Sequence, residues 1–241
     1  MIDEQIKSGN KTYTVIRLLA EEGRPNANVY LCQDEAGQKF VAKHFYGTSP
    51  SAVVGLSVHN HYGRRRDGSQ TVFNEIQKCH SYDFIVKHIE RLHFKGKWLI
   101  ILEYIDGEML GDFIRKTLKT DIELVKRCIK NLAETLSQWH NNGFAHGDPH
   151  LNNAMVQPNN NHSVKLIDYS QIHHDDFQYC REYDCFASNK NRRITEDLEN
   201  DFNGKIGEGF RYELLCMDEE LGLDTMLTTS FDIQYKNSHQ V

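Results

Sequence analysis

Three polar residues stand at a spacing that phosphoryl transfer can use. In the run His146-Gly147-Asp148-Pro149-His150-Leu151-Asn152-Asn153, Asp148 and Asn153 are five apart, so one tight loop can aim a carboxylate at an acceptor hydroxyl and an amide oxygen at Mg²⁺. Leu166-Ile167-Asp168-Tyr169-Ser170 follows, with Asp168 at the end of a short strand over 164–167, where its carboxylate can hold the second metal position. Each piece alone is weak, because His-x-Asp recurs by chance and Asp-Tyr-Ser is an ordinary turn. Their order and separation carry the argument. His146 is expected to pack and hydrogen-bond beneath the metal loop, since Asp148 is the residue placed to accept a proton.

Such residues need a scaffold, and the hydrophobic pattern predicts one. Val29-Tyr30-Leu31-Cys32 and the stretch from Lys39 to Phe45 read as two strands joined by the turn Asp34-Glu35-Ala36-Gly37, a β-hairpin that carries Lys43. A solvated strand lysine, as at Lys39, is the other reading of Lys43. Phe73, Ile76 and Cys79 or His80 fall on one face of a helical pattern that carries Glu75. Trp98-Leu99-Ile100-Ile101-Leu102 is an apolar run of buried-strand length that stops at Glu103-Tyr104-Ile105-Asp106-Gly107. Beyond it, Leu110, Phe113, Ile114 and Leu118 recur at helical spacing. Val125, Ile129, Leu132, Leu136 and Trp139 predict a longer amphipathic helix over Ile122 to His140 that braces the loop. Phe144-Ala145 and Ala154-Met155-Val156 predict short buried strands on either side of the loop.

With these elements in this order, the chain resembles a protein-kinase-like phosphotransferase from about Tyr13 through Asp201. The closest shapes are compact bacterial members. Gly-Asp-Pro-His-x-x-Asn at 147–153 with Ile-Asp-x-Ser at 167–170 resembles the lipopolysaccharide core heptose kinases. The Val-Tyr-Leu and Val-Ala-Lys hairpin resembles eukaryotic-type Ser/Thr kinases and the minimal effector kinases of Gram-negative bacteria. The resemblance implies an α+β, two-lobed protein-kinase-like fold with a β-rich N-lobe over 1–102, a hinge over 103–107 and a reduced helical C-lobe over 108–227, followed by a polar, frayed tail over 228–241. It implies ATP and Mg²⁺ as cofactors. Catalytic roles fall to Asp148, Lys43 and Asn153, and the metal to Asn153 and Asp168. Lys43 would pair the α- and β-phosphates, held by Glu75; Glu90 is less suitable because it falls in a strand-like region. Leu102 would be the gatekeeper, with the Glu103 carbonyl and the Ile105 amide on adenine, and Gly23, Val29 and Ala42 against the nucleotide. Asp197 matches the helix aspartate that anchors the catalytic-loop backbone, or is an ordinary acid in a first helical turn.

The departures from the family pattern have consequences of their own. The phosphate-covering loop, expected around 21–28, has the single glycine Gly23 where the usual pattern has three, so its backbone approaches phosphate less freely and Arg24 or Asn26 could compensate. Gly147 stands where regulated kinases carry an arginine that reads a phosphorylated activation loop. No Ala-Pro-Glu signature follows Asp168, and Ser170 replaces the glycine of Asp-Phe-Gly. A constitutively assembled enzyme is expected.

Composition fits an intracellular protein of one two-lobed domain, cytoplasmic or secreted into a host cell by a specialised system without a cleavable signal. No apolar stretch approaches the ~20 residues that span a bilayer. The six cysteines, Cys32, Cys79, Cys128, Cys180, Cys185 and Cys216, form no framework and are expected as reduced core thiols. His173-His174-Asp175-Asp176 with Cys180 and Cys185 matches no zinc module. The 47–70 insertion reads as a loop, and its Arg64-Arg65-Arg66 triplet as a solvated face. A net charge of −6 argues against nucleic-acid binding. A protein Ser/Thr hydroxyl is the expected acceptor. A lipopolysaccharide core sugar is the alternative, supported by the wording of the catalytic loop. A pseudokinase scaffold is disfavoured because Lys43, Asp148, Asn153 and Asp168 are all present.

Overall fold

The structure is a computed structural model that describes residues 1–19, 27–45, 82–142, 146, 150–168 and 210–238. These residues fall into two compact units, the first ending at Ile105 and the second beginning at Asp106.

The first unit is a six-stranded antiparallel sheet of β1 (Gln5–Ser8), β2 (Lys11–Leu18), β3 (Ala27–Gln33), β4 (Lys39–Phe45), β5 (His88–Phe94) and β6 (Lys97–Glu103), in the order β1-β2-β3-β4-β6-β5. Alternation along each strand sends Tyr13 and Val15, Tyr30 and Cys32, Phe40 and Ala42, and Leu99 and Ile101 into one core. Tyr13 and Phe40 meet edge to face there, their centroids 5.1 Å apart. Every residue from Leu99 to Leu102 is buried, because β6 is a central strand covered on both faces. The β3–β4 turn is tied by Asp34, whose carboxylate accepts from the amides of Ala36 (3.0 Å) and Gln38 (2.8 Å).

Strands β1 and β5 are the two edges of this sheet, yet their ends share side-chain contacts. Glu90 on β5 accepts from the hydroxyls of Ser8 and Tyr13, and Lys95 pairs with Glu4 at 2.6 Å. The sheet therefore curls until its edges are bridged, which limits the exposed edge that a strand pair would otherwise offer to other chains. Glu90 is thus committed within the sheet. The β1–β2 hairpin turns through Gly9, whose φ of +55° suits the first central position of a type II′ turn.

The second unit opens with β7 (Glu108–Met109), α1 (Leu110–Thr117) and α2 (Ile122–Asn141). Asp121 caps α2 by accepting the Leu124 amide at 2.9 Å. Val125, Cys128, Ile129, Leu132, Ala133, Leu136 and Trp139 form its buried stripe, each such large side chain contributing about 1.5–3 kcal/mol of burial. A 3₁₀ turn (Leu151–Asn153), β8 (Ala154–Gln157) and β9 (Ser163–Leu166) follow, with β7, β8 and β9 forming a small antiparallel sheet. Helix α2 holds β9 and the turn before it, through Thr135 to the Val164 carbonyl (3.3 Å) and Asn131 to the His162 carbonyl (3.0 Å). Helices α3 (Phe210–Leu221) and α4 (Met226–Ser238) close the unit.

The expected frayed tail from residue 228 is corrected by α4. Its composition is polar, but Leu227, Thr228 and Phe231 are buried and the helix packs on α2. Asp218 of α3 starts it, accepting from the amides of Leu227 (2.8 Å) and Thr228 (2.9 Å) and from the Thr228 hydroxyl (2.7 Å). Arg211 grips Asp232 with two guanidinium nitrogens, and Asn141 donates to the Ser238 carbonyl at 3.0 Å. A few buried contacts outweigh a polar composition.

Among the described cysteines, Cys32 and Cys128 are buried and Cys216 is exposed, so the reading of core thiols fails at Cys216. Burial pushes the thiols of Cys32 and Cys128 up to about 12. No described helix is long and apolar enough to cross a membrane.

Candidate active site

The hairpin of β8 and β9 is the element that brings two of the expected oxygen ligands to one end of the second unit. Ala154 faces Leu166 in register, so Asn153 and Ile167 are the next residues out, and the Ile167 amide donates to the Asn153 carbonyl at 2.8 Å. Asp168 follows at once, with a φ of +54°, the left-handed region that costs most side chains energy and that aspartate tolerates better than most. Asn153 is only 5% exposed and ends the 3₁₀ turn, whose first bond runs from its amide to the His150 carbonyl at 2.7 Å. An amide oxygen and a carboxylate are hard donors, which fits Mg²⁺. Among the described residues no cluster of three or more His, Cys, Asp or Glu side chains suits another metal.

His146 lies beneath this end. It is fully buried, its Nε2 is 2.9 Å from the Ile167 carbonyl, and its ring meets Phe210 edge-on at 5.7 Å. The imidazole thus holds the residue before Asp168, the packing role expected of it. Asp148, Glu75, Gly23 and Asp197, together with Ser170 and the 47–70 insertion, lie outside the described residues.

In the first unit, Lys43 faces Val29 across β3 and Ile100 across β6, while Val41 faces Leu102. Val29, Val41, Lys43, Ile100 and Leu102 therefore share one face of the sheet. The Lys43 ammonium is 5.9 Å from the Phe45 ring centroid. Ala42 belongs to the opposite face, fully buried in the core cluster with Tyr30 and Ile101. The strict period of two in a strand separates it from Lys43, so the small residue beside the lysine's face is Val41 and not Ala42. Glu103 ends β6 opposite Phe40, its amide donating to the Lys87 carbonyl and its carboxylate accepting the Lys87 amide, both at 2.9 Å. Ile105 is buried at the end of the unit, and Lys39 stands 5.4 Å from the Tyr104 ring centroid.

Two features of the second unit escaped sequence reasoning. A Cβ at Gly107 would lie 2.2 Å from the Val156 carbonyl oxygen, so glycine is required for close approach to β8 and not merely for a turn. Glu213, in the first turn of α3, accepts the Leu151 amide. The apolar spacing Phe210, Leu214, Met217 was the available signal for that helix.

The first unit is a curled sheet that presents Lys43 on one face, and the second is a helical unit whose hairpin sets Asn153 and Asp168 at one end. The protein kinase domain model matches residues 26–176, more than half of the chain, and the chain belongs to the protein kinase family. It is 25% identical over 154 residues to the probable serine/threonine-protein kinase 2 of Plasmodium falciparum, covering 59% of this chain and 28% of that protein. It is 28% identical over 113 residues to the lipopolysaccharide core heptose(II) kinase WaaY of Escherichia coli, covering 46% of this chain and 43% of that one. Among solved structures, Rad53 1–466 in complex with AMP-PNP aligns with a TM-score of 0.48 at 16% identity, over 65% of this chain and 38% of that chain. The chain spans less than half the length of each of these proteins.

Proposed function

We propose that the chain transfers the γ-phosphoryl group of ATP to a hydroxyl, with Ser/Thr of a protein as the acceptor. The observation that carries this reading is the bond from the Ile167 amide to the Asn153 carbonyl, which sets Asn153 and the following Asp168 at one end of the β8–β9 hairpin, in a chain of the protein kinase family. Asn153 and Asp168 would hold Mg²⁺, which when bound neutralises charge on the phosphates. Lys43 adds a positive charge for the α- and β-phosphates, and Glu75 is proposed to hold it there. Asp148, five residues before Asn153, orients the acceptor hydroxyl and takes its proton as that oxygen bonds to the γ-phosphorus and the bond to the β-phosphate oxygen breaks. His146 keeps the Ile167 carbonyl in place, so that Asp168 enters each turnover already positioned.

A sugar acceptor is the second reading, favoured by the likeness to WaaY and by the Gly147-Asp148-Pro149-His150 wording. Purified protein with γ-labelled ATP and Mg²⁺, offered a generic protein substrate and dephosphorylated core oligosaccharide side by side, separates the two. Label on protein supports the first reading. Label on the oligosaccharide alone replaces it with the second.

A further inference from the structure

Strands β1 and β5 are the two ends of the sheet order and share no backbone ladder, yet they run past each other along a seam held by side chains. Glu4 meets Lys95 at one end, Ser8 meets Glu90 at the other, and the buried Ile6 lies between them on β1. Both oxygens of the half-buried Glu90 carboxylate are taken, since Ser8 donates to one and Tyr13 to the other. Burial, and then the carboxylate itself, raise the Tyr13 hydroxyl above its ordinary range, so it stays a donor. Glu90 therefore requires a donor at Ser8 as well. Ser8 is the last residue of β1, beside the exposed turn Gly9-Asn10, where a methyl added to Gly9 would meet nothing within 4 Å. Lys11, also exposed, is its cross-strand partner in that hairpin.

We propose that Ser8 is a phosphorylation site, and that a phosphoryl group there opens the seam between β1 and β5. Such a group carries a charge of about −2 near neutral pH and has no hydrogen to donate, so in the place of the hydroxyl it faces Glu90 as a like charge. Repulsion across a half-buried carboxylate separates the strands, and Lys11 offers the group a cation on the β1–β2 hairpin. The pair of Lys95 and Glu4, partly exposed, is too weak to hold the seam by itself. The phosphoryl source is the activity proposed above, so that part of the inference rests on the protein Ser/Thr reading. The Ser8 oxygen bonds to the γ-phosphorus of ATP, the bond from that phosphorus to the β-phosphate oxygen breaks to release ADP, and the hydroxyl proton passes to Asp148. The response of the seam rests on Ser8, Tyr13 and Glu90 alone.

The test uses the full chain in two arms. In the first, purified protein is incubated with ATP and Mg²⁺ beside a generic protein substrate, and phosphate is located on both by mass spectrometry; phosphoserine is expected at Ser8. Phosphate on the generic substrate with Ser8 unmodified overturns the site. Phosphate on neither refutes the protein-acceptor reading and with it this source of the modification, and the second arm still decides the switch. In that arm phosphoserine is incorporated at Ser8 during synthesis, and hydrogen exchange over β1 and β5 is compared with wild type and with Ser8→Ala. Exchange is expected to quicken at least about tenfold over wild type, and at least about threefold beyond Ser8→Ala, which loses the donor and adds no charge. Adding Glu90→Gln, whose amide can donate to the phosphoryl oxygens, is expected to bring exchange back to within about threefold of wild type. Should the phosphorylated chain fail to fold, Ser8→Asp, with a single negative charge, is compared in the same way. Exchange no faster than in Ser8→Ala, or unmoved by Glu90→Gln, overturns the switch.

Discussion

His44 shows how one side chain on β4, the strand that carries Lys43, couples the first unit to pH. It is 8% exposed, and its Nε2 is 3.2 Å from the Phe94 carbonyl, so the neutral ring donates there. Burial lowers its pKa below the ordinary 6.5, only partly opposed by that carbonyl, and Lys97 and Lys95 lower it further. The unfolded chain therefore takes up the proton first. The stability due to a neutral His44 is present above pH 6.5 and is lost as pH falls from there through the lower folded value. Thermal unfolding between pH 8 and pH 5 should show a smaller acid-side fall for His44→Gln than for wild type. Equal slopes in the two proteins would assign the fall to other groups. At the same scale, the sequence reading proposed Lys43, Asn153 and Asp168 from their spacing and from the family resemblance, because phosphoryl transfer restricts residue types at such positions. It misjudged Ala42, where a family signature was followed and strand alternation, visible in the same residues, was not.

Elements place these residues, and Gly107 shows how little room they leave. Its Cα lies against the β8 backbone, where an added methyl would meet the Val156 carbonyl oxygen at 2.2 Å. Backbone on both sides cannot swing away as a side chain can, so Gly107→Ala should destabilise the second unit by about 1–3 kcal/mol, measured by urea unfolding. A loss below the error of that measurement would mean that β7 shifts freely against β8. The hairpin β3–β4, the run in β6 and the stripe of α2 were legible because each pattern is strong and local: a period of two, an unbroken apolar run, and seven buried positions at helical spacing. Helix α4 was not. Its apolar content is small, and it is held by Asp218, Arg211 and Asn141, through bonds that span 9 to 97 residues and that no apolar periodicity reveals. The Ser8 and Tyr13 bonds to Glu90 span 82 and 77 residues and were hidden for the same reason.

At the scale of the whole molecule, family membership rests on residues 26–176, and each unit carries residues proposed for phosphoryl transfer. The first provides a sheet face with a cation at Lys43. The second sets Asn153 and Asp168, the proposed metal ligands, at one end of a hairpin braced by α2. Acceptor choice belongs to neither motif set alone, since relatives named for protein and for sugar substrates match the same chain at similar identity. Asp168, the proposed metal ligand just beyond the end of β9, is the point on which the account turns. Asp168→Ala removes a half-buried carboxylate at a bend of positive φ and leaves the β8–β9 ladder and the His146 bond to Ile167 in place. The most direct measurement is transfer of γ-label from ATP in Mg²⁺ by wild type and Asp168→Ala, with circular dichroism on both. The account predicts label transfer by wild type, loss of at least about a hundredfold in the variant, and superimposable spectra. Wild-type turnover by a folded Asp168→Ala protein would contradict it.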